Sequence, residues 1–74
     1  MLVEVKLFAT FRKGRFKQKE LELPEGSSVS GLLEDLEIAE KDAKVIIVNG
    51  LAASAEQKLS DNDVVAIFPP IAGG

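Results

Sequence analysis

Seventy-four residues with 9 basic and 12 acidic side chains, a net charge of −3 and 46% hydrophobic content describe one small globular domain, without the basic excess that nucleic acid as a main partner would demand. The chain has no Cys, His, Trp or Tyr, so the usual nucleophile, the neutral-pH base and the zinc ligands are missing and neither a self-contained active site nor a metal site is expected. No apolar run approaches the roughly 20 residues of a membrane span, and Met1–Leu7 has neither the basic lead nor the long apolar core of a signal peptide, so no membrane partner and a cytoplasmic location are expected.

Val3, Val5 and Leu7 alternate with Glu4, Lys6 and Phe8, which predicts a first strand with one apolar face. Phe8 falls on the polar side; it either contributes to a docking surface or folds over a sheet edge as packing. Phe11 and Phe16 flank a turn at Gly14 that carries Arg12, Lys13, Arg15, Lys17 and Lys19. This basic cluster reads as a solvated turn, or as a patch for an acidic partner or anionic ligand. Alternation resumes at Lys19, Leu21 and Leu23, completing an N-terminal hairpin.

Pro24-Glu25-Gly26 breaks the second strand, and Ser27 or Ser28 is placed to cap a helix. Val29, Leu32, Leu33 and Leu36 give that helix one apolar face, with Glu34, Asp35 and Glu37 outside. After the polar connection Glu40-Lys41-Asp42, Val45-Ile46-Ile47-Val48 reads as a central strand buried on both faces or nearly so. Asn49-Gly50 marks a tight turn of positive φ, Leu51 begins a short strand, and residues 52–58 are open between loop and helical turn. Val65 and Ile67 of the last strand face the core, and Phe68 points the other way as an interface anchor.

The order β, β, α, β, short β, β predicts an α+β roll whose single helix covers one face of the sheet. The other face stays open for a partner. Residues 1–68 form the domain and residues 69–74 an extended tail. Pro69 and Pro70 cannot donate to a ladder, and their polyproline II preference holds the tail away from the body. Ile71 and Ala72 offer a partner an apolar grip, and Gly73 and Gly74 suit a narrow channel.

Lys6-Leu7-Phe8-Ala9, Leu23-Pro24-Glu25-Gly26-Ser27-Ser28-Val29, Val48-Asn49-Gly50 and above all Leu59 to Gly74 resemble the ubiquitin-like sulfur carriers of the MoaD/ThiS type, in particular the small subunit of molybdopterin synthase. The resemblance covers nearly the whole chain. It implies a β-grasp fold with a mixed sheet, one main helix on one face and a flexible C-terminal tail. It also implies that an E1-like enzyme, with ATP and Mg²⁺ bound there rather than by this chain, adenylates the carboxylate of Gly74. A sulfur donor such as a cysteine desulfurase then yields a thiocarboxylate. Phe8, Phe68 and the stretch Pro69-Pro70-Ile71-Ala72-Gly73 would meet the partners: the activating enzyme, and the molybdopterin synthase large subunit or another sulfur acceptor. The compact link from Phe11 to Lys19 is shared with thiamine-pathway carriers, whereas Phe68-Pro69-Pro70 matches the pterin pathway. Sulfur carriage for thiamine or another thiolated metabolite, and conjugation of Gly74 to lysines, stay open as alternatives.

Overall fold

The computed structural model describes residues 1–70; Ile71, Ala72, Gly73 and Gly74, and with them the expectations for the end of the tail, lie outside the described residues. Five strands, β1 (Leu2–Leu7), β2 (Gln18–Glu22), β3 (Val45–Val48), β4 (Leu51–Ala52) and β5 (Val64–Phe68), surround one helix, α1 (Val29–Asp35), with short 3₁₀ turns at Ala9–Arg12 and Glu40–Asp42. They form one sheet in the order β2-β1-β5-β3-β4. β1 and β5 run parallel at its centre, and the other neighbours are antiparallel. This is a β-grasp roll of the ubiquitin-like kind.

Period-two alternation decides which side chains face α1. Val3, Val5 and Leu7 of β1 and Val65 and Ile67 of β5 are fully buried against Val29, Leu32 and Leu33 of the helix. At 7 residues the helix is too short to be stable by itself, so this packing holds it. Ser28 caps it, its hydroxyl accepting from the Gly31 amide at 3.3 Å. The amides of Val29 and Ser30, which have no partner inside the helix, donate to the carbonyls of Gln57 and Ala55. That second contact resolves residues 52–58. Ala52 ends β4, and the rest form no helix but a loop pinned across the start of α1, with Ser28 and Lys58 paired as an isolated bridge.

One expectation is corrected. Val45–Val48 is not buried on both faces: Ile46 and Val48 enter the core, but Val45 is 47% exposed and Ile47 half-buried. A single helix covers a single face, and the central strand is β5. The basic link is solvated as expected, with Arg12, Lys13, Arg15, Lys17 and Lys19 all exposed, and one of its residues also makes a tertiary contact. The Arg15 guanidinium donates to the carbonyls of Leu36 at 2.9 Å, Glu37 at 3.2 Å and Phe11 at 3.2 Å, which ties the link to the C-terminal end of α1, where free carbonyls and the helix dipole favour a cation. Lys19 lies 5.9 Å over the Phe16 ring. No described helix is long and apolar enough to cross a membrane.

Candidate docking face and tail exit

The uncovered face of the sheet is built by the alternate residues of the same strands. The parallel register sets Leu7 beside Ile67, so the next residue of each strand emerges beside its neighbour on the opposite face. Those residues are Phe8 and Phe68. Their rings stack with centroids 4.2 Å apart and planes 9° from parallel. On the other side of β5 the antiparallel register places Val45 beside Phe68 and Ile47 beside Ala66. The result is an open apolar groove of about 490 Å³ lined by Phe8, Ala9, Thr10, Val45, Ile47, Phe68, Pro69 and Pro70. Thr10 supplies the single polar side chain of that lining.

The chain leaves β5 directly into this groove. Pro69 and Pro70 form part of its wall, so a protein seated on the stacked rings also touches the root of the tail. Phe8, Phe68, Pro69 and Pro70 therefore line one groove. The Phe8 ring packs on Phe68 over the open face of the sheet rather than over a core edge.

Val45 and Ile47 were missed as groove residues because an unbroken apolar run reads as doubly buried. Ala9 and Thr10 were missed because their position depends on backbone geometry. Ala9 has φ +54°, a left-handed conformation uncommon outside glycine. It turns the chain at the end of β1 and brings Arg12 back over the first strand. The Arg12 guanidinium lies 5.1 Å from the centroid of the Phe8 ring, and its Nε donates to the Leu7 carbonyl at 2.6 Å. Arg12 thus lies over Phe8, which in turn stacks on Phe68.

The same face changes character across the sheet. Toward β2 its cross-strand neighbours are Glu4 with Glu20 and Leu2 with Glu22. The Gln18 amide donates to the Glu4 carboxylate, and Lys6 lies 4.0 Å from that same carboxylate. Carboxylates gather at the β2 side, and a guanidinium stands by the groove. Among the described residues no group of three His, Cys, Asp or Glu side chains is arranged to hold a metal ion.

Comparison with known proteins agrees with the fold. The model of the ThiS family matches residues 5–74. Among solved structures, molybdopterin converting factor subunit 1 from Pyrococcus furiosus is 37% identical, with a TM-score of 0.75, over 96% of this chain and 99% of that one. Two others share the fold at lower identity. Small archaeal modifier protein 1 from Haloferax volcanii has a TM-score of 0.77 and 23% identity over 95% of this chain and 98% of its own. The complex of subunits 1 and 2 of molybdopterin-converting factor from Helicobacter pylori gives 0.65 and 22%, covering 100% of both chains. No curated protein matches the sequence.

Proposed function

Because the chain belongs to the ThiS family, we propose that it is a sulfur carrier whose Gly74 carboxylate is adenylated and then converted to a thiocarboxylate, with the sulfur destined for a pterin dithiolene in molybdenum or tungsten cofactor assembly. The observation that carries this reading is the continuity of the apolar groove with Pro69 and Pro70. A protein that grips Phe8 and Phe68 has the tail already aimed into it, and only four residues, Ile71 to Gly74, separate that grip from the acyl carbon.

The chemistry suits a chain without Cys or His. A carboxylate is a poor electrophile, so the partner must supply both a leaving group and the groups that stabilise it. In the activating enzyme, a Gly74 carboxylate oxygen attacks the α-phosphorus of ATP and pyrophosphate departs. Hydrosulfide or its equivalent from a sulfur donor then attacks the acyl carbon and AMP departs, leaving the thiocarboxylate. Glycine keeps both faces of that carbon unhindered, and Gly73 lets the backbone pass a narrow channel. The carrier's own contribution is to dock and to extend.

The pterin destination is supported by the relative from Pyrococcus furiosus, which bears the name of a molybdopterin converting factor subunit. By the same reasoning, the counterpart of subunit 2 in the complex from Helicobacter pylori is the acceptor we assign. The test is intact mass after incubation with an E1-like enzyme, ATP, Mg²⁺ and sulfide. Exchange of the terminal oxygen for sulfur at the activated acyl centre adds about 16 Da. That gain is expected in the full chain and not in one lacking Gly73 and Gly74. Isotope tracing from a labelled thiocarboxylate then separates pterin from thiazole products. Higher-mass conjugates dependent on Gly74, without sulfur gain, would overturn the carrier reading in favour of a protein modifier.

A further inference from the structure

The five basic residues of the link between β1 and β2 do not act as one patch. Arg15 is taken up by three carbonyls at the end of α1, and Lys19 is held over Phe16. Arg12 lies over the ring of Phe8, a groove residue that itself stacks on Phe68. Its Nε is fixed by the Leu7 carbonyl at 2.6 Å. Neither of its terminal nitrogens, Nη1 and Nη2, has a hydrogen-bond or ion-pair partner among the described residues. The side chain is exposed. Its orientation, however, is set by a hydrogen bond and an aromatic face, so little rotamer freedom is left to lose on binding.

We propose that Arg12 is a specificity residue of the docking face: its two free amino groups receive a carboxylate of the partner protein, an Asp or Glu at the rim of the apolar surface that covers Phe8 and Phe68. Charge complementarity selects this occupant. The groove is apolar; of the cations on its side of the sheet Lys6 is drawn to Glu4 at 4.0 Å and Arg12 stands over Phe8, whereas Glu20 and Glu22 lie on the edge strand β2 and Glu4 pairs across to Glu20. A partner with an acidic rim at Arg12 is therefore accepted in one orientation only, because rotation about the groove would bring its acid against Glu4 and Glu20. A planar fork suits a bidentate carboxylate, which a lysine at this position could not match. Lys13, the next residue, lies on the opposite side of the link, beside Asp35 and Glu37, and supplies the matched control.

The proposal rests on the carrier reading only for the choice of probe proteins. Calorimetric titration of the full chain into an E1-like adenylating enzyme, and into a molybdopterin synthase large subunit, compares wild type with Arg12→Gln, Arg12→Lys and Lys13→Gln at about 50 mM and about 500 mM salt. At low salt Arg12→Gln should weaken binding to at least one probe about tenfold, with Arg12→Lys between it and wild type and Lys13→Gln within about twofold of wild type. High salt should narrow the difference between Arg12→Gln and wild type. A charge-reversed pair, Arg12→Glu with the partner's acid changed to Lys, should regain part of the loss. Equal losses for Arg12→Gln and Lys13→Gln, no loss for Arg12→Gln, or no binding of wild type to either probe would each overturn the proposal. A chain that binds through Arg12 yet gains no sulfur would overturn the carrier reading and leave the inference standing.

Discussion

Ile67 and Phe68 are consecutive residues on opposite faces of β5, one fully buried and the other half-buried in the groove. Replacing each should separate folding from docking. Ile67→Val removes one methylene from a closed core and should cost about 0.5–1.5 kcal/mol. Phe68→Ala removes a whole ring, but from the open face. About half of the 3–5 kcal/mol typical of a core Phe→Ala change is already absent there because water reaches the ring. The lost stack on Phe8 adds about 0.5–1.5 kcal/mol, for a total near 2–4 kcal/mol. A 74-residue domain has about 4–11 kcal/mol in hand, so both variants should remain folded at 25 °C. Affinity for the activating enzyme should diverge. Phe68→Ala should lose at least about 2 kcal/mol, roughly thirtyfold, as expected of an aromatic anchor at the centre of an interface. Ile67→Val should stay within about twofold. Urea unfolding gives the stabilities and titration calorimetry the affinities, on the same samples. Phe68→Ala binding like wild type, or Ile67→Val losing as much affinity as Phe68→Ala, would refute the assignment of the open face as the docking face.

Two further substitutions test the scaffold around the groove. Arg15→Gln leaves the carbonyls of Leu36, Glu37 and Phe11 to water; because the group is solvent-exposed, the loss should be about 1 kcal/mol in urea unfolding, with partner affinity unchanged. Asn49→Ala removes the amide that donates to Asp63 Oδ1 at 2.8 Å and the carbonyl that accepts from the Val64 amide at 2.9 Å. It also puts alanine at φ +53°, so it should cost about 1–3 kcal/mol and lower the midpoint of thermal unfolding.

What the sequence disclosed follows from the range of each interaction. Alternation in β1 and β5 and the three-and-four spacing of Val29, Leu32, Leu33 and Leu36 are local patterns, and they sorted these residues correctly between core and open face. Asn49-Gly50 announced a turn through its chemistry, and both residues do have positive φ. Val45 and Ile47 could not be sorted the same way, because a run of four β-branched residues carries no period and only the sheet order decides how many faces are covered. Residues 52–58 had no periodicity because their backbone bonds go to other elements, those of Ala52 and Ala53 to β3 and those of Ala55 and Gln57 to the start of α1. Arg12 and Arg15 are three residues apart and chemically identical, yet one lies over Phe8 and the other belongs to the helix end. Nothing in the local sequence distinguishes them. The left-handed turn at Ala9 and the distant carbonyls of Leu36 and Glu37 do.

The central pairing of β1 with β5 joins the two strands most distant in sequence. Such closure is slow, since the loop entropy of nearly the whole chain must be overcome before the contacts form. During synthesis the first strand therefore waits, with its inner edge unpaired, until Val64–Phe68 has emerged. Phe68 is the final residue of that closing strand and also half of the aromatic stack. An incomplete or misfolded chain consequently offers no assembled groove. A partner that docks on the stack therefore meets only chains whose last strand is in place.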